Sequence, residues 1–306
     1  MNVMVKKQND IVIANPMYDV VFKHLMMAGK DIAGYFVGTV LGEKIADIEF
    51  APQEYAYTKQ VQQEGAPKQT IGLIRLDFVA TIRTKDDEFQ KVLIEIQQSP
   101  KPTDLIRFRT YLGEQYKKQD NIVISGEMIE KAMPIVIIYM LGFVFPEIAT
   151  VAVKTNRTYI DIINGGKVEN KNPFIESLTH DAYFIQIPRI KREMYADWEN
   201  ISDLMKMLSI FEQDYFVDKN FLKNYPYSTT DKNIKKMVDT LAYIAADPKV
   251  RRAMEEEYWA TLNETLWKQT IAEQSNALTQ KDNTLAEQAK IIAEYQRRFG
   301  DLSGLN

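Results

Sequence analysis

The stretch "RLDFVATIRTKDDEFQKVLIEIQQSP", residues 75–100, contains two apolar strands joined by a charged turn. Successive side chains of a strand point to opposite faces. If the purely apolar alternate positions of both strands face one core, then Asp77, Glu95 and Gln97 share the opposite face. Those apolar positions are Leu76, Phe78, Ala80 and Ile82 in the first strand and Val92, Ile94 and Ile96 in the second.

The two acids on one face need an explanation. An ionised carboxylate held away from water is costly unless a cation or hydrogen bonds compensate it. A hard divalent cation such as Mg²⁺ or Mn²⁺ does this well, because one or two carboxylates, water and phosphate oxygens form its usual ligand shell. A main-chain carbonyl beside Glu95 adds a further oxygen. The open alternative is that both acids face solvent at the rim of a half-exposed sheet.

The overall composition excludes several classes of protein. The chain has 306 residues, 45% hydrophobic and 26% charged, which is typical of one large or two smaller globular domains. With no cysteine and only two histidines, it has no disulfides, thiolate zinc sites or histidine-rich metal sites. Because the net charge is −4, any nucleic-acid contact must use a local basic patch.

The hydropathy pattern gives no membrane signal. The longest apolar run, "MPIVIIYMLGFVF" at residues 133–145, is shorter than the ~20 residues of a membrane helix. The N-terminus has no apolar secretory core. We therefore expect a soluble cytoplasmic protein that makes no membrane contact.

The order of predicted elements indicates a mixed α/β (α+β) core over about residues 10–190. Two helices come first, one opening at Asn15-Pro16 and one ending at Gly42. Strands follow up to residue 100, and a helix opens at Thr103 or Asp104. "PIVIIYML" is a buried central strand, and "AYFIQIPRI" (182–190) is the last strand of that core. The remainder is helical, with a helix start at Asp247-Pro248.

The C-terminus carries a heptad pattern. Five apolar residues lie seven positions apart, namely Ile271, Leu278, Leu285, Ile292 and Phe299. The pattern predicts a short coiled coil that joins copies of the chain into a homodimer or a higher homo-oligomer. The open alternative is a solvated amphipathic tail that packs on its own domain.

Several segments together resemble a known family. "RLDFVATI" followed by "KVLIEIQ" resembles the core of the PD-(D/E)xK nuclease superfamily, and more closely its recombination-promoting nuclease and transposase-like branch. "NPMYDVVFKHLM" is similar to that branch's early D-x-x-F-K helix. "DLIRFRTYLGEQY" and "MPIVIIYMLG" are similar to the following helix and buried strand. The resemblance covers most of residues 12–190.

The resemblance implies a restriction-endonuclease-like mixed sheet flanked by helices, and a Mg²⁺-dependent (or Mn²⁺-dependent) DNA endonuclease. Asp77, Glu95 and Gln97 would be the catalytic residues, and Asp77, Glu95 and the Ile96 carbonyl would bind the metal. Gln97 stands where the wider superfamily has a lysine. A glutamine can hydrogen-bond the attacking water but carries no charge.

The resemblance also implies accessory groups. Asp19 and Lys23 come from the early helix, and the open alternative is that Asp19 faces solvent on that helix. Arg107, Arg109 and Tyr111 would contact DNA phosphates. Residues 101–118 carry five basic residues against two acids, a pattern that a solvated helix face also explains.

Three regions follow from this interpretation. They are a nuclease-like domain at 1–194, a helical region at 195–268 and a heptad-repeat tail at 269–306. A second functional hypothesis is a catalytically weak or inactive nuclease-fold scaffold that acts in oligomeric assembly or partner binding. The net acidity and the missing lysine favour it.

Overall fold

The computed structural model of the chain describes residues 11–51, 54–61, 68–75, 77–97, 105–124, 127–218 and 221–300. The α-helices are α1 (Asp19–Met27), α2 (Lys30–Leu41), α3 (Leu105–Tyr116), α4 (Pro173–Leu178), α5 (Asp203–Leu208), α6 (Lys232–Ala245) and α7 (Pro248–Phe299). The strands are β1 (Ile11–Ala14), β2 (Ile45–Phe50), β3 (Glu54–Val61), β4 (Lys68–Arg75), β5 (Phe78–Thr84), β6 (Phe89–Gln97), β7 (Asp120–Ile124), β8 (Glu127–Lys131), β9 (Ile135–Leu141), β10 (Ala152–Thr155), β11 (Tyr159–Ile160), β12 (Lys167–Val168), β13 (His180–Gln186), β14 (Phe216–Asp218) and β15 (Leu222–Tyr225).

A six-stranded mixed sheet forms the centre of the protein, in the order β10-β13-β9-β6-β5-β2. Strand β9 runs parallel to both β6 and β13, and the other neighbours are antiparallel. The parallel strands carry long aliphatic runs because both of their faces are covered. The mixed α/β (α+β) class predicted from the order of elements is confirmed.

Strands β5 and β6 form the hairpin predicted from the sequence. Phe78 is paired with Ile94 and Val79 with Leu93. The turn between the strands places Asp87 at a φ of 57°, in the left-handed region that a short polar side chain tolerates. This register assigns every residue of the hairpin to one of the two faces.

Helices cover both faces of the sheet. On one face, Ile94 and Ile138 are buried, and the Tyr183 hydroxyl lies 3.5 Å from the carbonyl of Leu41, where α2 ends. On the other face, Val79, Leu93, Ile135, Ile137 and Ala182 form a core cluster, against which Leu112 of α3 packs. The hairpin is therefore a central element and not a half-exposed rim.

A smaller antiparallel sheet, in the order β1-β15-β14, joins the N-terminal strand to the region after residue 200. Helix α6 packs on β1 and on α1. Between the helices, Phe211 contacts Phe22 and Phe36 at ring-centroid distances of 6.3 and 5.7 Å. Residues after position 194 therefore pack against the N-terminal helices through apolar side chains.

The predicted helix boundaries hold in part. Helix α2 is followed by Gly42 with a φ of 73°, as predicted for a glycine that ends a helix. Helix α1 begins at Asp19 instead of following Asn15-Pro16 directly. The Asn15 side chain accepts a hydrogen bond from the Met17 amide at 3.1 Å and stabilises a turn there first. The region after residue 190 was predicted to be helical, but its α-helical part between residues 197 and 213 is limited to α5, which Ser202 caps.

The chain divides into two compact units, Met1–Glu255 and Glu256–Asn306. Helix α7 starts at Pro248, as Asp247-Pro248 predicted, and continues without a break through position 268. Its first turns bury Val250 and Met254 in the first unit. Among the helices of the described ranges, none has both the length and the hydropathy needed to cross a lipid bilayer.

Candidate functional site

The site begins where β5 starts and β6 ends. Asp77 directly precedes β5, and the register that pairs Phe78 with Ile94 places it across from Glu95. The Oδ2 atom of Asp77 accepts a hydrogen bond of 2.5 Å from the Ile96 amide. Because the N–H and C=O of one strand residue point to the same edge, the Ile96 carbonyl is directed towards the edge where Asp77 lies. The structure thus brings together the three groups predicted to bind a metal.

Glu95 and Gln97 are removed from water. Only 4% of Glu95 and 6% of Gln97 is exposed. The two residues are two positions apart, so their side chains lie on the same face of β6. The Gly142 amide donates a hydrogen bond of 2.6 Å to the main-chain carbonyl of Gln97, which fixes the end of β6 against the loop after β9. The alternative that Glu95 faces solvent at a sheet rim is wrong, because α3 covers that face.

Helix α1 contributes an acid and a base at its N-terminal end. Asp19 lies in the first turn, where the positive end of the helix dipole stabilises a carboxylate. One turn later, the Lys23 ammonium forms an ion pair with Asp19 Oδ2 at 2.9 Å. Both side chains are only partly exposed, at 21% for Lys23 and 38% for Asp19. Asp19 therefore remains partly open to solvent, while its charge and its hydrogen bond also act on Asp77.

The acids influence one another electrostatically. Burial raises the pKa of Asp77 well above its ordinary value, and the negative charges of Glu95 and Asp19 raise it further. A hydrogen bond with the Asp19 side chain acts in the same direction, whereas the Ile96 amide opposes the rise. Three carboxylates from two strands and one helix therefore share a region in which negative charge is disfavoured.

Aromatic residues enclose the other side of Glu95. Tyr139 is its partner on β9, and burial together with the Glu95 charge raises the pKa of Tyr139 to about 12. The Tyr139 ring stacks on Phe184 at 5.0 Å and meets Phe108 of α3 edge-on at 5.4 Å. Tyr111 lines the same narrow cleft as Glu95 and Tyr139. Sequence reasoning missed Tyr139, although it is the one hydroxyl in an otherwise apolar central strand.

The residues predicted to contact DNA phosphates differ in their exposure to solvent. Tyr111 is half-buried in the cleft beside Glu95, whereas Arg109 is exposed on α3. The side chain of Arg107 lies outside the described part of the chain. Elsewhere in the chain, Arg189 donates to the Phe145 carbonyl at 2.9 Å and so holds a loop. Arg109 is thus the predicted phosphate contact that the structure shows open to solvent.

The donor set fits a hard cation only with additional ligands. Asp77, Glu95 and the Ile96 carbonyl are all oxygen donors, the type that Mg²⁺ and Mn²⁺ prefer. Over the described ranges, however, no group of three or more His, Asp and Glu side chains is arranged to hold an ion by itself. Water and a phosphate oxygen would therefore have to complete the shell, as is usual for Mg²⁺.

Comparisons with protein-family models, with curated proteins and with solved structures gave no match for this chain. The interpretation of the site therefore rests on its own geometry and chemistry.

Proposed function

We propose that the protein is a metal-dependent DNA endonuclease of the PD-(D/E)xK type, linked to recombination or to mobile elements. The observation that carries the proposal is the convergence of Asp77 and Glu95 at the paired strands, with Asp19 of α1 beside them and Lys23 paired with Asp19. This arrangement concentrates negative charge at the end of a buried sheet, where a cation offsets the repulsion and a phosphate supplies further oxygens.

In this proposal Asp77, Glu95 and the Ile96 carbonyl hold Mg²⁺ or Mn²⁺. A bound divalent cation would lower the pKa of an attacking water and neutralise charge on the phosphoryl oxygens. The protein supplies rigidity. The Ile96 amide holds Asp77, and the Gly142 amide fixes the end of β6, so the ligands do not need to reorganise when substrate binds.

Gln97 and Lys23 divide the work of a catalytic lysine. Hydrolysis joins a water oxygen to phosphorus and breaks one P–O ester bond, so the water must be oriented and the growing negative charge compensated. The Gln97 amide can orient the water by a hydrogen bond. Lys23 supplies the positive charge that Gln97 lacks, and its ion pair with Asp19 holds it next to the acids.

The proposed substrate is duplex DNA that approaches the end of the sheet where Asp77 and Glu95 meet. The exposed Arg109 on α3 is the proposed phosphate contact. Because the chain carries a net charge of −4, binding must depend on such local contacts and weaken as salt increases. Self-association through the apolar positions of α7 completes the proposal and brings two sites to one substrate.

The test is cleavage of supercoiled plasmid DNA in the presence of Mg²⁺ or Mn²⁺. Asp77→Asn retains the shape and a hydrogen-bond acceptor for the Ile96 amide, and it is expected to abolish cutting. Asp239→Asn, which changes an exposed aspartate on α6, is the matched control and should cut like the wild type. Equal cutting by the wild type and Asp77→Asn would disprove this assignment of the site.

A second candidate function is a non-catalytic scaffold with the same fold. It is favoured by the charge compensation already present inside the protein, since Asp77 accepts the Ile96 amide and Asp19 pairs with Lys23. Titration calorimetry with Mn²⁺ separates the two functions. Saturable binding that Asp77→Asn removes supports the nuclease, whereas no heat of binding to the folded wild type supports the scaffold.

A further inference from the structure

The C-terminal part of α7 carries an apolar stripe with no covering element in the described part of the chain. Ile271, Leu278, Leu285 and Ile292 lie seven residues apart on one continuous helix, and each is between 57% and 61% exposed. Every apolar contact that such a stripe makes with a partner removes surface from water. A repeat of seven residues supplies one of the two apolar positions that each heptad of a coiled coil uses.

The charges around the stripe favour a second copy of this chain as the partner. Residues 269–299 contain four basic and four acidic side chains, so two copies do not repel each other overall. The basic ones are Lys281, Lys290, Arg297 and Arg298, and the acidic ones are Glu273, Asp282, Glu287 and Glu294. The stripe also matches itself in length and spacing, as a symmetric pair requires.

Two adjacent charges near the midpoint of the stripe define the orientation. Lys281 is three residues after Leu278, and Asp282 is four residues after it. With 3.6 residues per turn, these positions lie about 60° to one side of the stripe and about 40° to the other. Lys281 and Asp282 therefore lie on opposite flanks of the stripe at nearly the same height.

In a parallel pair, the two-fold axis runs along the coil, so the left flank of one helix faces the right flank of the other. When the two copies are in register, Lys281 of each copy lies beside Asp282 of the other, and two opposite-charge contacts form.

In an antiparallel pair, the two-fold axis is perpendicular to the coil and like flanks face each other. If all four stripe residues are matched, Ile271 meets Ile292 and Leu278 meets Leu285. Lys281 then faces Lys281 of the second copy, and the two Asp282 side chains face each other on the opposite side. A shift of one heptad separates these charges but leaves one stripe residue of each copy without a stripe partner. The parallel pair alone keeps all four apolar layers and opposes unlike charges.

We propose that α7 forms a parallel, in-register two-stranded coiled coil with a second copy of the chain through residues 271–292. This inference rests on the self-association included in the proposed function and specifies its geometry. A parallel coil starts both copies of the helix at the same end, which suits two sites that act on one duplex.

The orientation is testable by disulfide cross-linking because the chain has no cysteine of its own. Ile271→Cys and Ile292→Cys are made separately in the full-length protein, and the copies of one variant carry a size tag. The parallel pair predicts that each variant alone forms a disulfide-linked dimer after mild oxidation. An antiparallel pair predicts no dimer from either variant alone and a mixed dimer from both together, which would overturn the proposal.

A charge exchange provides a second, independent measurement. Lys281→Asp places like charges together in a parallel pair. It should raise the Kd of the dimer roughly five- to tenfold, because two surface ion pairs become repulsive. Lys281→Asp combined with Asp282→Lys restores unlike neighbours and should restore the Kd. Failure of the double exchange to restore it, or a monomeric wild type in light scattering at micromolar concentration, contradicts the coil. Neither readout involves DNA cleavage, so a loss of nuclease activity is scored separately.

Discussion

At the residue scale, Asp77 shows how a partly buried acid is retained beside an apolar hairpin. It lies just before β5 and accepts the Ile96 amide of β6, so one of its oxygens replaces a ladder hydrogen bond. Its other surroundings are unfavourable, because Glu95 and Asp19 bring negative charge close to it. A residue that is locally well bonded but electrostatically strained is typical of a binding site for a positive ligand.

The raised pKa of Asp77 predicts a pH-dependent stability. In the metal-free protein, the unfolded chain ionises Asp77 near the ordinary pKa of 3.8, whereas the folded protein does so only at higher pH. The folded state therefore loses stability as the pH rises through this interval, and the loss levels off above the folded pKa. Asp77→Asn removes this penalty and should stabilise the protein at pH 8.

Urea denaturation in the presence of a chelator measures this effect. The difference in unfolding free energy between Asp77→Asn and the wild type should be larger at pH 8 than at pH 4. The exposed Asp239→Asn on α6 should show little difference at either pH. A stability gain for Asp77→Asn that is the same at both values would show that charge repulsion is not the cause.

Lys23 has a catalytic prediction of its own. Lys23→Gln removes the positive charge beside the acids and should lower the cleavage rate on the order of 100-fold. Stability should change by less than about 0.5 kcal/mol, because a pair of residues four apart on a helix surface contributes little. Lys30→Gln is the matched control, since Lys30 also forms a surface ion pair, with Asp47 at 3.1 Å on α2 and β2. An equal loss of activity in both variants would argue against a role for Lys23.

At the scale of elements, β6 is fixed at both of its ends by polar groups. Its C-terminal end carries the site, and its other end carries Lys91, which forms a buried ion pair with Asp120 at the start of β7. Asp120 also accepts the Met133 amide at 3.1 Å, so the pair connects the strand to the segment that leads into β9. This contact aligns β6 and β9, the two strands that carry Glu95 and Tyr139.

Removal of one member of this pair should be strongly destabilising. Lys91→Met leaves Asp120 buried without its cation and is expected to cost about 3–5 kcal/mol of unfolding free energy. The double variant Lys91→Met with Asp120→Leu removes both charges and should recover most of the loss. Thermal and urea unfolding of the two single variants and the double variant form a double-mutant cycle. Additive losses in the double variant would contradict the coupling.

The hairpin β5–β6, the strands β9 and β13 and the end of α2 were all predictable from the sequence. Their signals are local, namely alternation, long aliphatic runs and a glycine after a helix. The start of α1 was not predicted correctly, because the Asn15 side chain bonds to the backbone of a turn instead of capping the helix directly. Helix α5 was overpredicted for a similar reason, since Ser202 can cap only the residues that follow it.

At the scale of the whole molecule, the two compact units differ in what stabilises them. The first unit buries aromatic and aliphatic side chains between its sheets and helices. In the second unit, the apolar side chains of α7 from Leu266 to Tyr295 that are described remain at least half-exposed. We therefore expect the first unit to fold without the second.

A truncated chain of residues 1–262 tests this expectation. It retains Val250 and Met254, which are the buried contacts of α7, and should keep its Tm within about 3 °C of the full-length value. In light scattering its mass should correspond to one chain, whereas the full-length protein should give two. A large fall in Tm would show that the tail stabilises the first unit, and an unchanged dimer would place the contact elsewhere.

The sequence by itself determined the strands, their faces and the presence of two acids and a glutamine on one of those faces. These features depend on the alternation of neighbours along the chain, which is visible in the residue order. Only the tertiary structure decided that α3 covers that face, that Asp19 of α1 lies close to Asp77, and that Tyr139 lies beside Glu95. These contacts join residues far apart in the chain, and their formation depends on how helices and strands pack to bury apolar surface, which no local pattern encodes.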